Sequence, residues 1–212
     1  MEITWLGHSC FRIKGKEAVV LTDPCGPDTG YTLGKVQADI VTASNTHAGH
    51  VYFDTLQEGY KAIKGPGEYE IKDVYITGIR TFHDDSKGEK FGKNTIYTIE
   101  MEGVTLCHLG DLGHALSPEM IGELGNINVL FIPVGGHSTM PASAAADLVR
   151  NLNPGFVLPM HYKTADEKAD LDFPEKFLKE LGLKDLVVQS KLMVTRTNIP
   201  LATQVIMLDY PH

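Results

Sequence analysis

The stretch Ala43-Ser-Asn-Thr-His-Ala-Gly-His-Val51 places two histidines, His47 and His50, directly after the short apolar run Asp39-Ile-Val-Thr42. Such a run is typical of a buried strand, so both histidines are predicted to lie in the loop that follows it. Histidines three residues apart can turn their imidazoles toward one metal ion when the loop is tight, and Gly49 favours a tight loop. The stretch therefore predicts a metal site at the end of a strand.

The remaining histidines repeat this pattern. Three further segments follow apolar runs, and they are Thr81-Phe-His-Asp84, His108-Leu-Gly-Asp-Leu-Gly-His114 and Pro159-Met-His161. Of the nine histidines, all but His212 lie in or beside a loop after such a run. Active sites of layered α/β folds lie at strand ends, and zinc and related ions bind imidazole and carboxylate groups. For any single histidine a structural role is an equal alternative, but eight together favour a metal centre.

The composition indicates an acidic protein, with 19 Lys+Arg against 27 Asp+Glu and a formal net charge of −8. We expect no nucleic-acid partner, because no basic cluster is present. The first residues form no signal peptide and no apolar run approaches ~18 residues, so no membrane partner is expected either. Cys10, Cys25 and Cys107 lack CxxC spacing, which predicts reduced thiols in the cytoplasm. The expected partner is a small-molecule substrate, and a homo-oligomer is left open.

Strand signals occur along the whole chain. Periodicity predicts strands at residues 2–6, 10–13, 18–22, 39–42, 69–71, 74–79, 95–101, 104–108, 129–132, 156–158, 187–189 and 205–208. Two hairpins are predicted, around Lys72-Asp73 and around Glu102-Gly103.

Helix signals are fewer. Ser117-Pro118-Glu119 is typical of a helix start, for a helix that runs to about Leu124. Residues 53–60 and 142–152 are also predicted to be helical. The Asp172…Glu175 spacing predicts a capping box, with a helix behind it that places four apolar residues on one face: Phe173, Phe177, Leu178 and Leu181. Periodicity alone predicts an α/β or α+β fold.

The order of these motifs resembles the metallo-β-lactamase fold superfamily, and in particular the small branch of metal-dependent hydrolases related to the ascorbate-6-phosphate lactonases. The resemblance rests on ordered elements between residues 4 and 163. They are Trp5-Leu-Gly-His8, Asp23-Pro24, the signature region at residues 45–50, Phe82-His83-Asp84, Gly110-Asp111, Pro133-Val-Gly-Gly136 and Pro159-Met-His161. The resemblance implies one domain over residues 1–212 with a four-layer αββα sandwich, whose metal site lies at one edge between two sheets.

The signature itself departs from the family pattern. The family pattern is His-x-His-x-Asp-His, and here it reads Asn45-Thr-His47-Ala-Gly49-His50, so the first histidine and the aspartate are replaced. The resemblance implies a first metal site at Asn45, His47 and His83. It implies a second site at Gly49, His50 and His161, with Asp111 as a carboxylate that bridges both. Each site has therefore lost one ligand and kept two.

Three outcomes for the metal follow. One ion, most readily zinc, with manganese, iron or nickel as alternatives, is held by a subset of His47, His50, His83, Asp111 and His161. Alternatively, His8, His114 or His137 substitutes for the lost ligands, or no metal binds.

Residues around the site have predicted supporting roles. His8, Asn45 and His137 are candidates for contacts with substrate or with metal ligands. Asp84 is a candidate to orient a histidine, with a solvated loop charge as the alternative. His108 is predicted to lie within a strand as a hydrogen-bonded core histidine.

Two functions are compatible with these residues. The first is a metal-dependent hydrolase of a small ester, lactone or phosphoester, in which the ion activates water and Asp111 holds the ion and orients that water. The second is a catalytically silent family member that acts as a binding or regulatory protein. The choice depends on whether three or more strong ligands still meet at one ion.

Overall fold

The computed structural model of the chain describes residues 1–184 and 188–210. Short apolar runs separated by glycine, proline and aspartate turns give short strands. In chain order these are β1 (Glu2–Trp5), β2 (Phe11–Lys14), β3 (Val19–Thr22), β4 (Ile40–Thr42), β5 (Lys61–Ile63), β6 (Gly67–Ile71), β7 (Val74–Phe82), β8 (Lys93–Met101), β9 (Val104–His108), β10 (Val129–Pro133), β11 (Phe156–Met160), β12 (Val188–Gln189), β13 (Leu192–Met193), β14 (Gln204–Val205) and β15 (Met207–Leu208). The α-helices are α1 (Pro118–Leu124), α2 (Ala142–Leu152) and α3 (Glu175–Glu180).

The strands form two large sheets and one small one. The first sheet has the order β13-β1-β2-β3-β4-β5, the second has the order β14-β11-β10-β9-β8-β7-β6, and β12 pairs with β15. Strands β3, β4 and β5 are parallel, as are β9, β10, β11 and β14. Helix α2 supplies the crossover that parallel strands β10 and β11 require. Mixed sheets combined with few helices confirm the predicted α/β sandwich.

Both predicted hairpins are present. Lys72 and Asp73 join β6 to β7 with φ values of 51° and 57°, and Glu102 and Gly103 join β8 to β9 with φ values of 54° and 71°. Positive φ at both central residues is the geometry that matches the twist of the flanking strands.

The core lies where the two large sheets face each other. The rings of Phe11 on β2 and Phe131 on β10 have centroids 4.6 Å apart, so side chains from both sheets meet there. All residues of β10 and β11 are buried, as expected for central parallel strands. The three cysteines are free and buried. Among the described residues, no helix is long and apolar enough to cross a membrane.

The helix predicted for residues 53–60 is wrong. The segment instead makes an isolated bridge between Leu56 and Val36, and Gly59 has a φ of 105° that interrupts any helix. Phe53 and Tyr60 stack with ring centroids 6.1 Å apart. The apolar spacing therefore reflects packing within a loop, and the short strand β5 that follows it is not among the predicted strands.

The predicted capping box before α3 is also wrong. The N-cap residue, which precedes the helix, is Pro174 and provides no side-chain hydrogen bond, and the Asp172 carboxylate accepts instead from the Lys176 ammonium. Phe177 and Leu178 are buried as predicted, but Phe173 is 60% exposed. Helices α1 and α2 have their predicted bounds, and Ser117 caps α1 by accepting from the Met120 N–H. Of the closing strands, Val187 lies outside the described residues.

The directions of the strands determine where the candidate site residues lie. In the first sheet, β1, β3 and β4 end on the same side, because β1 and β3 flank the antiparallel β2. In the second sheet, β7, β9 and β11 end on the same side, because β7 and β9 flank the antiparallel β8. A hydrogen bond from the His161 N–H to the His8 carbonyl joins the loops after β11 and β1, so both sets of strands end at one edge of the sandwich. Residues that follow these strands therefore meet at one edge.

Candidate metal centre

Asp111 is at the middle of this edge. Its carboxylate is 1% exposed and lies 2.7 Å from His50 Nε2, 3.0 Å from His83 Nε2 and 3.5 Å from His161 Nε2. The Asn45 amide donates to the same carboxylate at 3.1 Å. Burial by itself opposes ionisation of Asp111, but the charge of His50 and the other imidazoles hold its pKa well below the ordinary range.

The outer nitrogens of three imidazoles have partners that orient the rings. His50 Nδ1 lies 2.7 Å from Asp23 Oδ2, and His8 Nδ1 lies 2.8 Å from Glu167 Oε2. His83 Nδ1 donates to the Ser138 carbonyl at 2.9 Å. Histidines that ligate metals generally donate their second ring N–H to a carboxylate or backbone carbonyl in this way. These partners direct the other nitrogen of each ring inward.

Three buried histidines come close enough to share one ion. Ligand atoms of His8, His50 and His161 all lie within 4.8 Å of one another. His8 and His161 both have a φ of 51°, and Asp23 has a φ of 38°, in the left-handed region that non-glycine residues rarely occupy. Such strain is concentrated at functional sites, where the surrounding structure holds it in place.

Buried polar atoms without hydrogen bonds also mark this cluster. His50 Nε2, His161 Nδ1 and Asp111 Oδ1 are buried without a hydrogen-bond partner among the described residues. The 2.7 Å contact of His50 with Asp111 is an ion pair whose geometry is not that of an aligned hydrogen bond. An unpaired buried polar atom costs about 1–3 kcal/mol, which ligation of a cation would offset. The donor set of three imidazoles and one carboxylate fits a divalent ion.

The protonation states differ within the cluster. Burial opposes the charge of His50, but the carboxylates of Asp111 and Asp23 raise its pKa well above the ordinary value. Burial lowers the pKa of His161 to about 3, so that imidazole is neutral at pH 7. His50 and His161 therefore differ in the direction of their pKa shifts, although both rings face Asp111.

Gly49 lies close against the His8 imidazole, where a larger residue would require its neighbours to shift. A Cβ atom built on Gly49 would lie 3.2 Å from His8 Nε2 and 3.4 Å from His47 Nδ1. The family aspartate would thus project toward the imidazole of His8. With glycine at this position, His8 Nε2 and the Thr29 methyl group pack against the backbone where an aspartate side chain would begin.

The residues implied for the first metal site do not converge in the same manner. Asn45 directs its Nδ2 to Asp111, while its Oδ1 accepts from the His47 backbone N–H at 2.8 Å. His47 is exposed, and its Nδ1 accepts from the Gly49 N–H at 3.3 Å. Partial desolvation and the neighbouring His50 lower the pKa of His47. His83 reaches Asp111, but neither it nor His47 belongs to the close group of ligand atoms found among the described residues.

Other predicted residues lie outside the cluster. His137 has a side chain that is 46% exposed and faces Asp170 and Asp172 at 3.7 and 3.6 Å. His114 accepts from the Phe82 N–H at 3.2 Å. His108 ends β9, and its Nε2 donates to the Ser9 carbonyl at 2.9 Å, as predicted for a core histidine.

Asp84 has a role different from the one predicted. Its carboxylate does not orient a histidine but accepts four backbone N–H groups of the following loop, those of Ser86, Gly88, Lys90 and Phe91. It is 5% exposed, so it is not a solvated loop charge either.

The sequence does not identify the hydrogen-bond partners that orient the imidazole rings. In the sequence, Asp23 is recognised only as part of the Asp23-Pro24 element. Its position directly after an apolar run is nevertheless a signal for a site residue. Glu167 and the Ser138 carbonyl give no signal. Asn94, which accepts from the Asp111 N–H at 2.9 Å, lies within a strand and is also missed.

Comparisons with known proteins agree with this architecture. The family model of the beta-lactamase superfamily domain matches residues 2–161. A UPF0173 metal-dependent hydrolase of Pyrococcus furiosus is 29% identical over 89% of this chain and 95% of its own length, and a UPF0173 protein of the same organism is 31% identical over 90% and 95%. A Thermotoga maritima crystal structure, proposed to be a Zn-dependent hydrolase of the metallo-β-lactamase superfamily, has 34% identity and a TM-score of 0.83, and 99% of each chain is covered.

Proposed function

Because this chain belongs to the metallo-β-lactamase superfamily, we propose that it is a hydrolase with a single divalent metal ion held by His8, His50 and His161 beside Asp111. The observation that carries the proposal is the inward convergence of three buried imidazoles, two of which are oriented by the carboxylates of Glu167 and Asp23. Zinc suits this set of donors best, with manganese, iron or nickel as alternatives.

The substitutions in the signature fit a one-metal site. Asn45 contributes an N–H donor to Asp111 where the family pattern has a histidine, so the first site has no strong ligand at that position. Gly49 supplies no carboxylate, but His8 Nε2 lies 3.2 Å from the position that a Cβ atom of this residue would take. The second site therefore regains a third protein ligand from the loop after β1.

A bound divalent ion supplies Lewis-acid polarisation of the scissile carbonyl or phosphoryl group and acidifies water. The chain's own groups position the reactants. Oδ2 of Asp111 is engaged by His50, His83 and Asn45, whereas Oδ1 is buried without a hydrogen bond. Oδ1, which lies 3.5 Å from His161 Nε2, is thus the carboxylate atom that can orient the attacking water. We propose a small ester, lactone or phosphoester as the substrate.

Metal content after incubation with zinc, manganese or iron tests the proposal. We expect about one ion per folded chain, measured by elemental analysis after desalting. His8→Ala, His50→Ala and His161→Ala should each lose it, whereas His47→Ala and His137→Ala, which remove exposed imidazoles, should retain it. Cobalt(II) absorption provides a second readout of a tetrahedral histidine site.

Retention of the ion in His8→Ala together with loss in His47→Ala would overturn the assignment of ligands. A folded protein that takes up no ion under any of these conditions would overturn the hydrolase and favour the catalytically silent binding protein. Circular dichroism of each variant separates loss of the site from loss of the fold.

A further inference from the structure

A cavity of about 610 Å³ opens beside the candidate metal centre. One wall is the loop after β4, with Ser44, Asn45 and Thr46, and another is the loop after β5, around Lys64. The floor is formed by Arg80 near the end of β7 and by residues 93–95 at the start of β8. It therefore lies at the same edge of the sandwich as the site residues.

The side chains that line this cavity carry positive charge. Lys64, Arg80 and Lys93 all line it, and no aspartate or glutamate does. This is unusual in a chain with a net charge of −8. Within the described part of the chain, the lysines and arginines that form ion pairs are Lys72, Arg150, Lys176 and Lys191, so the three cations of the cavity have no carboxylate partner.

The strand register places two of these cations side by side. Arg80 pairs with Thr95 and Phe82 pairs with Lys93 on the antiparallel strands β7 and β8. Arg80 and Lys93 are therefore diagonal neighbours on one face, about 7–8 Å apart at the backbone. Long cationic side chains at this spacing can reach one oxyanion together, and the arginine fork matches phosphate or carboxylate oxygens.

Lys64 is held against an aromatic ring that also lines the cavity. Its ammonium lies 4.3 Å from the centre of the Phe53 ring, and Phe53 also lines the cavity. A cation above an aromatic face is stabilised without neutralisation of its charge. This wall therefore adds a third positive charge and an apolar surface.

Two residues that line the cavity also form hydrogen bonds with Asp111. Asn45 lines the cavity and donates to Asp111 Oδ2 at 3.1 Å, and Asn94 lines the cavity and accepts from the Asp111 N–H at 2.9 Å. A small molecule whose charged group lies between Arg80 and Lys93 would thus extend toward the carboxylate at the centre of the site.

We propose that this cavity binds the oxyanion group, phosphate or carboxylate, of a small organic substrate through Arg80 and Lys93, with Lys64 as a third cation in its lining. The proposal rests on the proposed function for the reaction itself. It narrows the substrate to an anion, and it assigns Arg80 and Lys93 as residues that determine specificity.

Calorimetric titration of the EDTA-treated protein at low ionic strength tests this with inorganic phosphate, phenyl phosphate and benzoate as probes. We expect saturable binding that weakens about tenfold or more in Arg80→Ala and in Lys93→Ala, since each removes a charge-assisted hydrogen bond. Lys184→Ala removes one positive charge from an exposed residue outside the cavity and should leave the affinity unchanged. Arg80→Lys should recover part of the loss. Comparison of phenyl phosphate with benzoate separates phosphate from carboxylate preference.

Binding that is equal in wild type and Arg80→Ala would overturn the proposal, because it would place the anion elsewhere, for example at the charged His50. The absence of saturable binding of every probe would overturn it as well. The titration uses EDTA-treated protein, so it tests the cavity independently of the metal site. Metal uptake without anion binding would contradict only the cavity proposal. Anion binding without metal uptake would contradict only the proposed metal site.

Discussion

The backbone N–H of His161 donates a 3.1 Å hydrogen bond to the carbonyl oxygen of His8. This bond joins the loop after β1, in the first sheet, to the loop after β11, in the second. Both residues have a φ of 51°, and their rings lie with centroids 4.4 Å apart. Because left-handed backbone at such residues costs of order 1–3 kcal/mol, the surrounding structure must hold both loops in place. The pair fixes the separation of two proposed ligands across the two sheets.

The first prediction concerns the relation between Gly49 and His8. If His8 replaces the lost aspartate as a ligand, Gly49→Asp should make His8 dispensable. We expect His8→Ala to reduce zinc affinity by at least about tenfold in the wild-type background and by much less in Gly49→Asp. Competition with a chromophoric chelator measures both affinities, and the double-mutant cycle isolates the coupling between the two positions.

Gly49→Asn is the matched control, since it adds a side chain of the same size without a carboxylate. It should not restore zinc binding to His8→Ala. Equal losses from His8→Ala in the wild-type background and in the Gly49→Asp background would contradict the replacement of the aspartate by His8.

The second prediction concerns the release of a proton from His50 when the metal ion binds. His50 lies between Asp23 and Asp111, which raise its pKa well above the ordinary value, so its ring carries a proton on both nitrogens at pH 7 in the metal-free protein. Ligation requires a neutral imidazole, so metal uptake should release about one proton per ion and weaken as the pH falls. Calorimetry in two buffers with different ionisation enthalpies measures the release.

Asp23→Asn tests the origin of this proton. It removes one of the two carboxylates that stabilise the charged ring, so the pKa of His50 should fall and fewer protons should be released at pH 7. Metal uptake without any proton release in the wild type would contradict a charged His50.

The sequence predicts the location of the site better than the contacts within it. His50, His83, Asp111 and His161 can be proposed because each follows an apolar run, and parallel strand ends meet at one edge of a sheet. The start of α1 is predictable because Ser117 and Pro118 act locally. Such features depend on residues close together in the chain.

Contacts between distant segments cannot be predicted in this way. Glu167 is 159 positions from His8 and lies in a loop without apolar periodicity, so nothing local indicates that they pair. The direction of the Asn45 amide depends on where Asp111 lies. The error at residues 53–60 has a related cause, since Leu56 bridges to Val36, 20 positions earlier, while Phe53 stacks on Tyr60 within the loop.

The third prediction concerns Asn94, which is 1% exposed and holds the segment around Asp111. Its amide donates to Thr81 Oγ1 at 2.8 Å and to the Leu109 carbonyl at 2.9 Å, and its oxygen accepts from the Asp111 N–H. Asn94→Ala leaves buried groups unpaired at about 1–3 kcal/mol each, so we expect a loss of roughly 2–4 kcal/mol in the free energy of unfolding. Urea denaturation measures it.

Asn126→Ala removes an exposed asparagine whose side chain makes no hydrogen bond among residues 1–184 and 188–210. It should change stability by less than about 0.5 kcal/mol. If Asn94→Ala were equally mild, the network around Asp111 would not be rigidly held by this side chain. Metal affinity should fall in Asn94→Ala even where the protein remains folded, because Asp111 loses its backbone anchor.

The last prediction concerns Asp84 and acid. Four backbone N–H groups outweigh the effect of burial and lower the pKa of Asp84 from 3.8 to about 2. The folded state therefore binds this proton less tightly than the unfolded state. The stabilisation of the folded state by the Asp84 carboxylate is complete above the ordinary pKa and is lost as the pH falls from about 4 toward 2.

Asp84→Asn should unfold at lower urea concentration than the wild type at pH 7, and the difference should narrow progressively below pH 4. Asp85→Asn, a change at the exposed neighbour, should show little difference at either pH. A difference for Asp84→Asn that stayed constant from pH 7 to pH 2.5 would mean that the carboxylate charge does not stabilise the loop, and that its shape alone is what the loop between His83 and Lys93 requires.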